Sequence, residues 1–227
     1  MFFWNTQYML FAIPGLLLAL WAQAMVKGTF ARYARVPTST GISGAQVAQL
    51  LMQRTGLHLA VNNIPGSLTD FYNPSNKSIN LSQTSVQPSV ASVAVVAHEI
   101  GHAVQDAQGY VPMRLRGAMV PAVSLGGWVG PLLFIAGWFL SNLNLVWGGI
   151  ILFGASVVFA LLTLPVELNA SSRAMQLLTT NGVLVSQQEV EGARKVLNAA
   201  AFTYVAAAAQ ALLTLLYYLS LVTGRRR

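Results

Sequence analysis

The apolar and polar positions divide the chain into four long apolar stretches and two polar segments. The apolar stretches cover residues 8–26, 118–140, 143–166 and 199–222. Each could cross a hydrocarbon core of about 30 Å as a helix, which takes roughly 20 residues. The pattern predicts a mainly α-helical, polytopic membrane protein with about four transmembrane helices, forming one domain over residues 1–227, with the polar segments 38–117 and 167–198 in the cytoplasm.

The first apolar stretch differs from a secretory signal peptide. No basic residue precedes it, and its apolar run is longer than the usual hydrophobic region of such a peptide. Trp4 before it and Lys27 after it are the residue types expected at membrane interfaces. We therefore expect a retained membrane anchor.

The segment 38–117 predicts a small α+β region within this helical chain. Ser43 and Gln46 have the spacing of a capping box, and the helix that they begin is expected to end near Gly56. The elements predicted after it are a strand at 57–61, a turn at 62–66, a loop at 70–76, a strand at 77–81 and a helix from about Pro88 to Gln105.

Composition supports a membrane protein and restricts the metal chemistry. Apolar residues make up 55% of the chain and charged residues 8%, against about a quarter in ordinary soluble domains. There is no cysteine, so any metal must take imidazole and carboxylate ligands. The net charge is +7, but the basic residues are spread through loops, which favours membrane topology over nucleic-acid binding.

The positions of the basic residues predict the orientation. The polar segments and their flanks hold ten of them: Lys27, Arg32, Arg35, Arg54, Lys77, Arg114, Arg116, Arg173, Arg194 and Lys195. The turn at 141–142 holds none. Positively charged loops stay in the cytoplasm, so both polar segments are expected there. Four spans then place Arg225, Arg226 and Arg227 outside, unless the last segment does not cross fully.

Residues 98–102 read His-Glu-Ile-Gly-His and carry the chemistry. On a helix, His98 and His102 lie one turn apart on one face, within reach of a single metal ion. Glu99 lies beside the first ligand, where a carboxylate can act as general base. A coincidental cluster would leave polar groups unsatisfied in an apolar helix. The spacing predicts a zinc peptidase with one Zn²⁺ per chain.

A catalytic zinc ion usually takes a third protein ligand. The available residues are His58, Asp70, Asp106, Glu167, Glu189 and Glu191. Glu167 directly follows the third apolar stretch, and an acidic residue at the edge of a membrane bundle is costly to place. The second and third spans form a hairpin, which returns the chain to the same side of the membrane as His98. We therefore favour Glu167 as the ligand, with a simple interfacial carboxylate as the alternative.

The strand predicted before the metal helix has a possible use. An exposed strand edge can hold an extended peptide by backbone pairing. Ile79, Asn80, Leu81 and Ser82 are therefore the predicted substrate-binding residues. The alternative is a scaffold strand with no such role.

Three motifs together resemble a known family. They are His98–Gln105 with Ala107–Tyr110, Leu164–Ser171, and Asp70–Pro74 followed by Ile79–Ser82. Their sequences and order resemble the YugP-like neutral zinc metallopeptidases, a family of bacterial integral membrane proteins that is similar in plan to HtpX-type proteases. The resemblance implies a gluzincin-like site with His98, His102 and Glu167 as zinc ligands and Glu99 as catalytic base.

The expected function is a zinc-dependent membrane endopeptidase that cleaves peptides or membrane proteins with metal-activated water. Candidates for stabilising the transition state or supporting the ligands are Tyr110, Tyr72, His58, Arg173 and Asp106. Arg173 could instead meet lipid headgroups. The alternative function is a catalytically silent zinc-binding scaffold, although such a protein would not need Glu99. The sequence carries no signal of the oligomeric state.

Overall fold

The structure is a computed structural model that describes residues 6–224. Within that range it contains six α-helices, three strands and a short 3₁₀-helix, so the mainly α prediction is confirmed. The predicted interface residue Trp4 and the tail Arg225, Arg226 and Arg227 lie outside the described residues. The helices are α1 Thr6–Tyr33, α2 Gly44–Thr55, α3 Val90–Ala107, α4 Val111–Phe139, α5 Leu143–Thr180 and α6 Gln187–Gly224, and the strands are β1 Ala60–Asn63, β2 Phe71–Asn73 and β3 Ser78–Leu81.

Four helices, α1, α4, α5 and α6, are long and apolar enough to cross a membrane by length and composition. This confirms the four predicted apolar helices. Each helix extends beyond its apolar stretch: α5 continues past residue 166 to Thr180 with Pro165 inside it. The chain is therefore still helical where it enters the polar segment 167–198.

The chain divides into two compact units. The first holds the described residues of Met1–Ala22, Arg114–Pro165 and Thr203–Arg227, and the second consists of Gln23–Met113 and Val166–Phe202. Every residue predicted for the site belongs to the second unit.

In the first unit, glycines bring the backbones of α4 and α5 into contact. A Cβ atom on Gly149 would lie 2.5 Å from the backbone nitrogen of Phe134 and 2.6 Å from the carbonyl oxygen of Gly130. Small residues allow this approach between membrane helices, where van der Waals packing drives association. The Phe134 side chain is buried beside Val146 in this contact.

In the second unit, a three-stranded sheet has the order β1-β3-β2, with β1 parallel and β2 antiparallel to β3. The predicted bounds of the strand (57–61) and the turn (62–66) are wrong, because β1 begins at Ala60 and includes Asn62 and Asn63. Asn62 pairs with Asn80 in the ladder, and its side-chain amide donates to the Asn80 side chain at 3.1 Å. This pairing outweighs the low strand propensity of asparagine.

The loop predicted at 70–76 contains β2, and this changes the position of β3. Because β3 pairs with β1 on one side and β2 on the other, it is the central strand. Ile79, Asn80, Leu81 and Ser82 are all buried. The prediction that this segment is an exposed substrate-binding edge is therefore wrong.

The helices of this unit begin at side-chain caps. The predicted capping box of Ser43 and Gln46 is confirmed, and α2 ends at Gly56 in the left-handed conformation. Helix α3 begins at Val90 rather than Pro88, because the Ser89 hydroxyl caps it by accepting from the Ser92 N–H at 3.2 Å. The apolar residues of α2 and α3 form the core of the unit, including Val47, Leu51, Val90, Val93, Ala94, Val96 and Ala97.

The close approach of α4 and α5 predicts a stability effect. Gly149→Ala should lower the free energy of unfolding by about 1–3 kcal/mol, because the added methyl group meets backbone that cannot move aside alone. Gly148→Ala is the matched control, since a Cβ there meets nothing within 4 Å. Thermal unfolding of the protein in detergent measures both, and equal midpoints for the two variants would contradict the prediction.

Candidate metal centre

Three donor groups from two helices meet in the second unit. His98 and His102 lie one turn apart on α3, and Glu167 reaches them from α5. The Glu167 Oε2 atom lies 3.2 Å from His98 Nε2 and 3.5 Å from His102 Nε2. The Glu167 side chain is almost completely buried, and His102 is buried as well.

The spacing of these atoms fits a metal ion. One donor atom from each residue can be chosen so that all three lie within 4.8 Å of one another. In a tetrahedral zinc site, with ligands at about 2.0–2.1 Å, neighbouring donor atoms are about 3.3 Å apart. The two distances to Glu167 Oε2 match this value. The three residues that the sequence favours as ligands are thus brought together and could hold zinc.

Each imidazole is also held by its second nitrogen. His102 Nδ1 lies 3.0 Å from the side-chain oxygen of Gln105, and His98 Nδ1 lies 3.2 Å from the Ser171 hydroxyl. The Gln105 oxygen can only accept, so His102 carries its proton on Nδ1. Its Nε2 lone pair is then directed at the metal position. Partners of this kind fix the orientation and tautomer of ligating histidines.

Gln105 is fully buried and joins the two helices. While its oxygen accepts from His102, its nitrogen donates to the Val166 carbonyl at 2.8 Å and to the Asn169 side-chain oxygen at 2.9 Å. Val166 precedes the candidate ligand Glu167. Gln105 therefore positions His102 through a direct hydrogen bond and Glu167 through the backbone of Val166.

Arg173 extends this network away from the metal position. Its Nε donates to the Asn169 oxygen at 2.7 Å, and its terminal nitrogen donates to the Gln108 side chain at 2.7 Å. Of the two roles that the sequence leaves open for Arg173, these contacts favour the support of α5 against α3 over binding to lipid.

The central glycine of the motif allows α5 to approach. A Cβ atom on Gly101 would lie 2.6 Å from the Ala170 carbonyl oxygen. A side chain at this position would push the helices apart, because the obstacle is backbone. Glu167 could then no longer reach both histidines.

Glu99 is partly buried beside the histidines, and its Oε2 atom accepts from the Tyr72 backbone N–H at 2.8 Å. Burial raises the pKa of Glu99, although the charges of His98 and His102 and the Tyr72 hydrogen bond oppose this. Burial alone would lower the pKa of His102, but the hydrogen bond that Glu167 accepts and the charges of Glu99 and Glu167 raise it overall.

Asp106 supports the strand beside Glu99. It accepts from the Tyr72 hydroxyl at 2.6 Å and from Lys77 Nζ at 2.5 Å. Burial would raise the pKa of Asp106, but these two hydrogen bonds lower it overall, while burial and Asp106 raise the pKa of Tyr72. Among the described residues Asp106 does not join the three converging donor groups, and the Tyr72 hydroxyl is engaged by Asp106.

Two further candidates lie apart from this network. His58 is exposed in a surface depression beside α2, lined by Met52 and Leu57 among others. The Tyr110 backbone N–H caps α3 by donating to the Gln105 carbonyl at 2.9 Å. Neither side chain contacts the three donor groups in the part of the chain that the structure describes.

Sequence reasoning missed three contributors, namely Gly101, Gln105 and Ser171. Helical spacing could have identified two of them, because Gln105 lies three residues after His102 and Ser171 four residues after Glu167. Each shares a helix face with its ligand. The role of Gly101 depends on a neighbouring helix and has no local signal.

The comparisons with known proteins cover nearly the whole chain. A family model described as "Putative neutral zinc metallopeptidase" matches residues 8–223. The curated protein named "Putative membrane protease YugP", from Bacillus subtilis (strain 168), is 41% identical over 221 residues, which cover 96% of this chain and 98% of that protein. No solved structure gives a significant match.

The buried amide predicts a metal-binding effect. Gln105→Leu should weaken zinc affinity about 10–100-fold, because it removes the partner of His102 Nδ1 and the side-chain hydrogen bonds that join α3 to α5. Gln53→Leu, an exposed position on α2, is the control. Zinc competition with a chelating dye measures the affinity. Equal affinities in the two variants would remove Gln105 from the support of the site.

Proposed function

The chain belongs to the neutral zinc metallopeptidase family, and from this premise we propose that it is a zinc-dependent membrane endopeptidase. The observation that carries the proposal is the convergence of His98, His102 and Glu167, with the Glu99 carboxylate on the adjacent position of α3. This is the donor set of a catalytic zinc site, with two imidazoles, one carboxylate and a neighbouring base.

The three residues would hold one zinc ion per chain through His98 Nε2, His102 Nε2 and Glu167 Oε2. A zinc ion held there would supply Lewis-acid chemistry, which polarises the scissile carbonyl and lowers the pKa of water. The chain contributes fixed donors, because Ser171 and Gln105 hold the second nitrogen of each imidazole.

Glu99 moves the proton. Its Oε2 atom is held by the Tyr72 N–H, while its Oε1 atom has no hydrogen-bond partner among the described residues. Oε1 can therefore take a proton from the attacking water and deliver it to the leaving amine, as a general base that later acts as acid. A purely structural zinc site has no use for such a carboxylate.

Strand β2 is the better candidate for binding the substrate backbone. It is an edge strand of the sheet, and its central residue, Tyr72, holds Glu99 through its N–H. An extended peptide that pairs with backbone groups of this edge other than the Tyr72 N–H, which Glu99 already engages, would run past the base and the metal ligands. Asp106 supports this strand by accepting from the Tyr72 hydroxyl, and Lys77 donates to the same carboxylate.

The site is proposed to face the cytoplasm of a bacterium, in a multi-pass protein of the inner (plasma) membrane. Ten basic residues in and beside the two polar segments support this orientation by the positive-inside rule. The name of the Bacillus subtilis relative, which calls it a membrane protease, supports the location. Peptides or membrane proteins are the expected substrates.

Glu99→Gln should retain zinc and lower peptide hydrolysis about 10²–10⁴-fold, the usual contribution of general acid–base catalysis. Glu191→Gln is the control, since that exposed side chain accepts one hydrogen bond within residues 6–224, from Gln187. The assay is cleavage of a labelled peptide by zinc-loaded protein in detergent. A Glu99→Gln variant that cleaves at the normal rate would refute the role of Glu99. Absence of cleavage by the zinc-loaded wild type would favour the silent scaffold.

Glu167→Gln should abolish tight binding of zinc, because it removes the negative charge between the two imidazoles while keeping the size of the side chain. Metal content after dialysis, measured by mass spectrometry, tests this without an activity assay. One retained zinc ion per chain would exclude Glu167 from the ligand set. Glu191→Gln again serves as the charge-matched control.

A further inference from the structure

A groove between α1 and α6 lies in the second unit, and neither the metal site nor β2 contributes to its lining. Its volume is approximately 590 Å³. Helix α1 contributes Met25, Thr29 and Arg32 to it, and α6 contributes Lys195 and Phe202. Gly28 also lines the groove, and a Cβ atom there would meet nothing within 4 Å.

The two helices touch at one end of the groove. A Cβ atom on Gly192 of α6 would lie 2.6 Å from the Tyr33 ring of α1, so the ring packs directly on the glycine. Tyr33 follows Arg32, and Gly192 precedes Lys195 by three residues. Both cationic side chains of the groove therefore belong to the end where the helices meet.

The polarity of the lining changes along both helices in the same sense. From Arg32, α1 leads back through Thr29 to Met25 and its apolar stretch. From Lys195, α6 leads forward to Phe202 and the apolar stretch 199–222. The groove thus has a cationic end and an apolar end, and it lies where both helices pass from polar to membrane-spanning sequence.

The two cations have no acidic partner in the described part of the chain. The ion pairs there join Lys77 to Asp106 and the two site histidines to Glu167. Arg32 and Lys195 are exposed, and the Arg32 guanidinium lies 5.6 Å from the centre of the Tyr33 ring. The groove therefore presents two positive charges, with no carboxylate among its lining residues.

We infer that this groove binds an anionic phospholipid, with the phosphate at Arg32 and Lys195 and the glycerol and acyl chains toward Met25 and Phe202. Thr29 and Asn198 add neutral hydrogen-bonding groups between the two ends. Basic pockets between membrane helices on the cytoplasmic side bind such headgroups. A water-soluble phosphate compound would leave the apolar end unused.

The test measures lipid binding directly. Zinc-loaded protein in detergent is titrated with phosphatidylglycerol or phosphatidylcholine, and bound lipid is counted by native mass spectrometry. The wild type should bind phosphatidylglycerol preferentially. Each of Arg32→Gln and Lys195→Gln should weaken this binding about 5-fold, and the double variant about 30-fold, from the usual contribution of a basic residue near an anionic headgroup. Both side chains are exposed, so folding should be unaffected.

Arg54→Gln, an exposed charge on α2, is the matched control and should bind within 2-fold of the wild type. Equal binding by the double variant and the wild type would overturn the inference, as would equal binding of the two lipids. Displacement of the lipid by millimolar inorganic phosphate would assign the groove to a soluble phosphate ligand instead. No peptide is present in the measurement, so its outcome does not depend on the proposed peptidase activity.

Discussion

The metal centre depends on how closely α5 can approach α3. Two of the three converging donor residues and the Glu99 carboxylate come from one helix, and the third donor must reach them from another. The approach is possible because Gly101 has no side chain where the Ala170 carbonyl passes, 2.6 Å from the position of a Cβ atom. With the backbones this close, the short carboxylate of Glu167 lies between two imidazoles, and Gln105 can reach the backbone of α5. The glycine within the His-Glu-x-Gly-His string is thus a requirement of helix packing, and the histidines on either side of it depend on that packing.

Such a centre places polar groups where burial penalises them, and the structure compensates by pairing each one. A buried amide without partners costs free energy, but Gln105 uses its oxygen for His102 and its nitrogen for α5. Asn169 accepts from both Gln105 and Arg173, so a single oxygen connects the buried amide to a side chain nearer the surface. The positions of His102 and Glu167 are consequently coupled, because the same buried amide bonds to His102 and to the backbone beside Glu167.

Features that arise within one helix could be predicted, whereas features that need a neighbouring element could not. The lengths of the four apolar stretches predicted the four long helices, and the spacing of His98 and His102 predicted that both imidazoles lie on one face of a helix. The hairpin between the second and third apolar stretches was sufficient to favour Glu167. The sheet was harder, because Asn62 and Asn63 have the composition of a turn and become a strand only through the ladder with β3. Without β2, which lies in an apparent loop, nothing marked β3 as the central strand.

Helix α3 carries His98, Glu99, His102, Gln105 and Asp106 on adjoining faces over little more than two turns. Inserting or deleting one residue within this span would rotate everything beyond it by about 100°. Ligands, base, bridging amide and strand support would then separate together, although no side chain had been replaced. The length of this span is therefore constrained as strictly as the identity of its side chains.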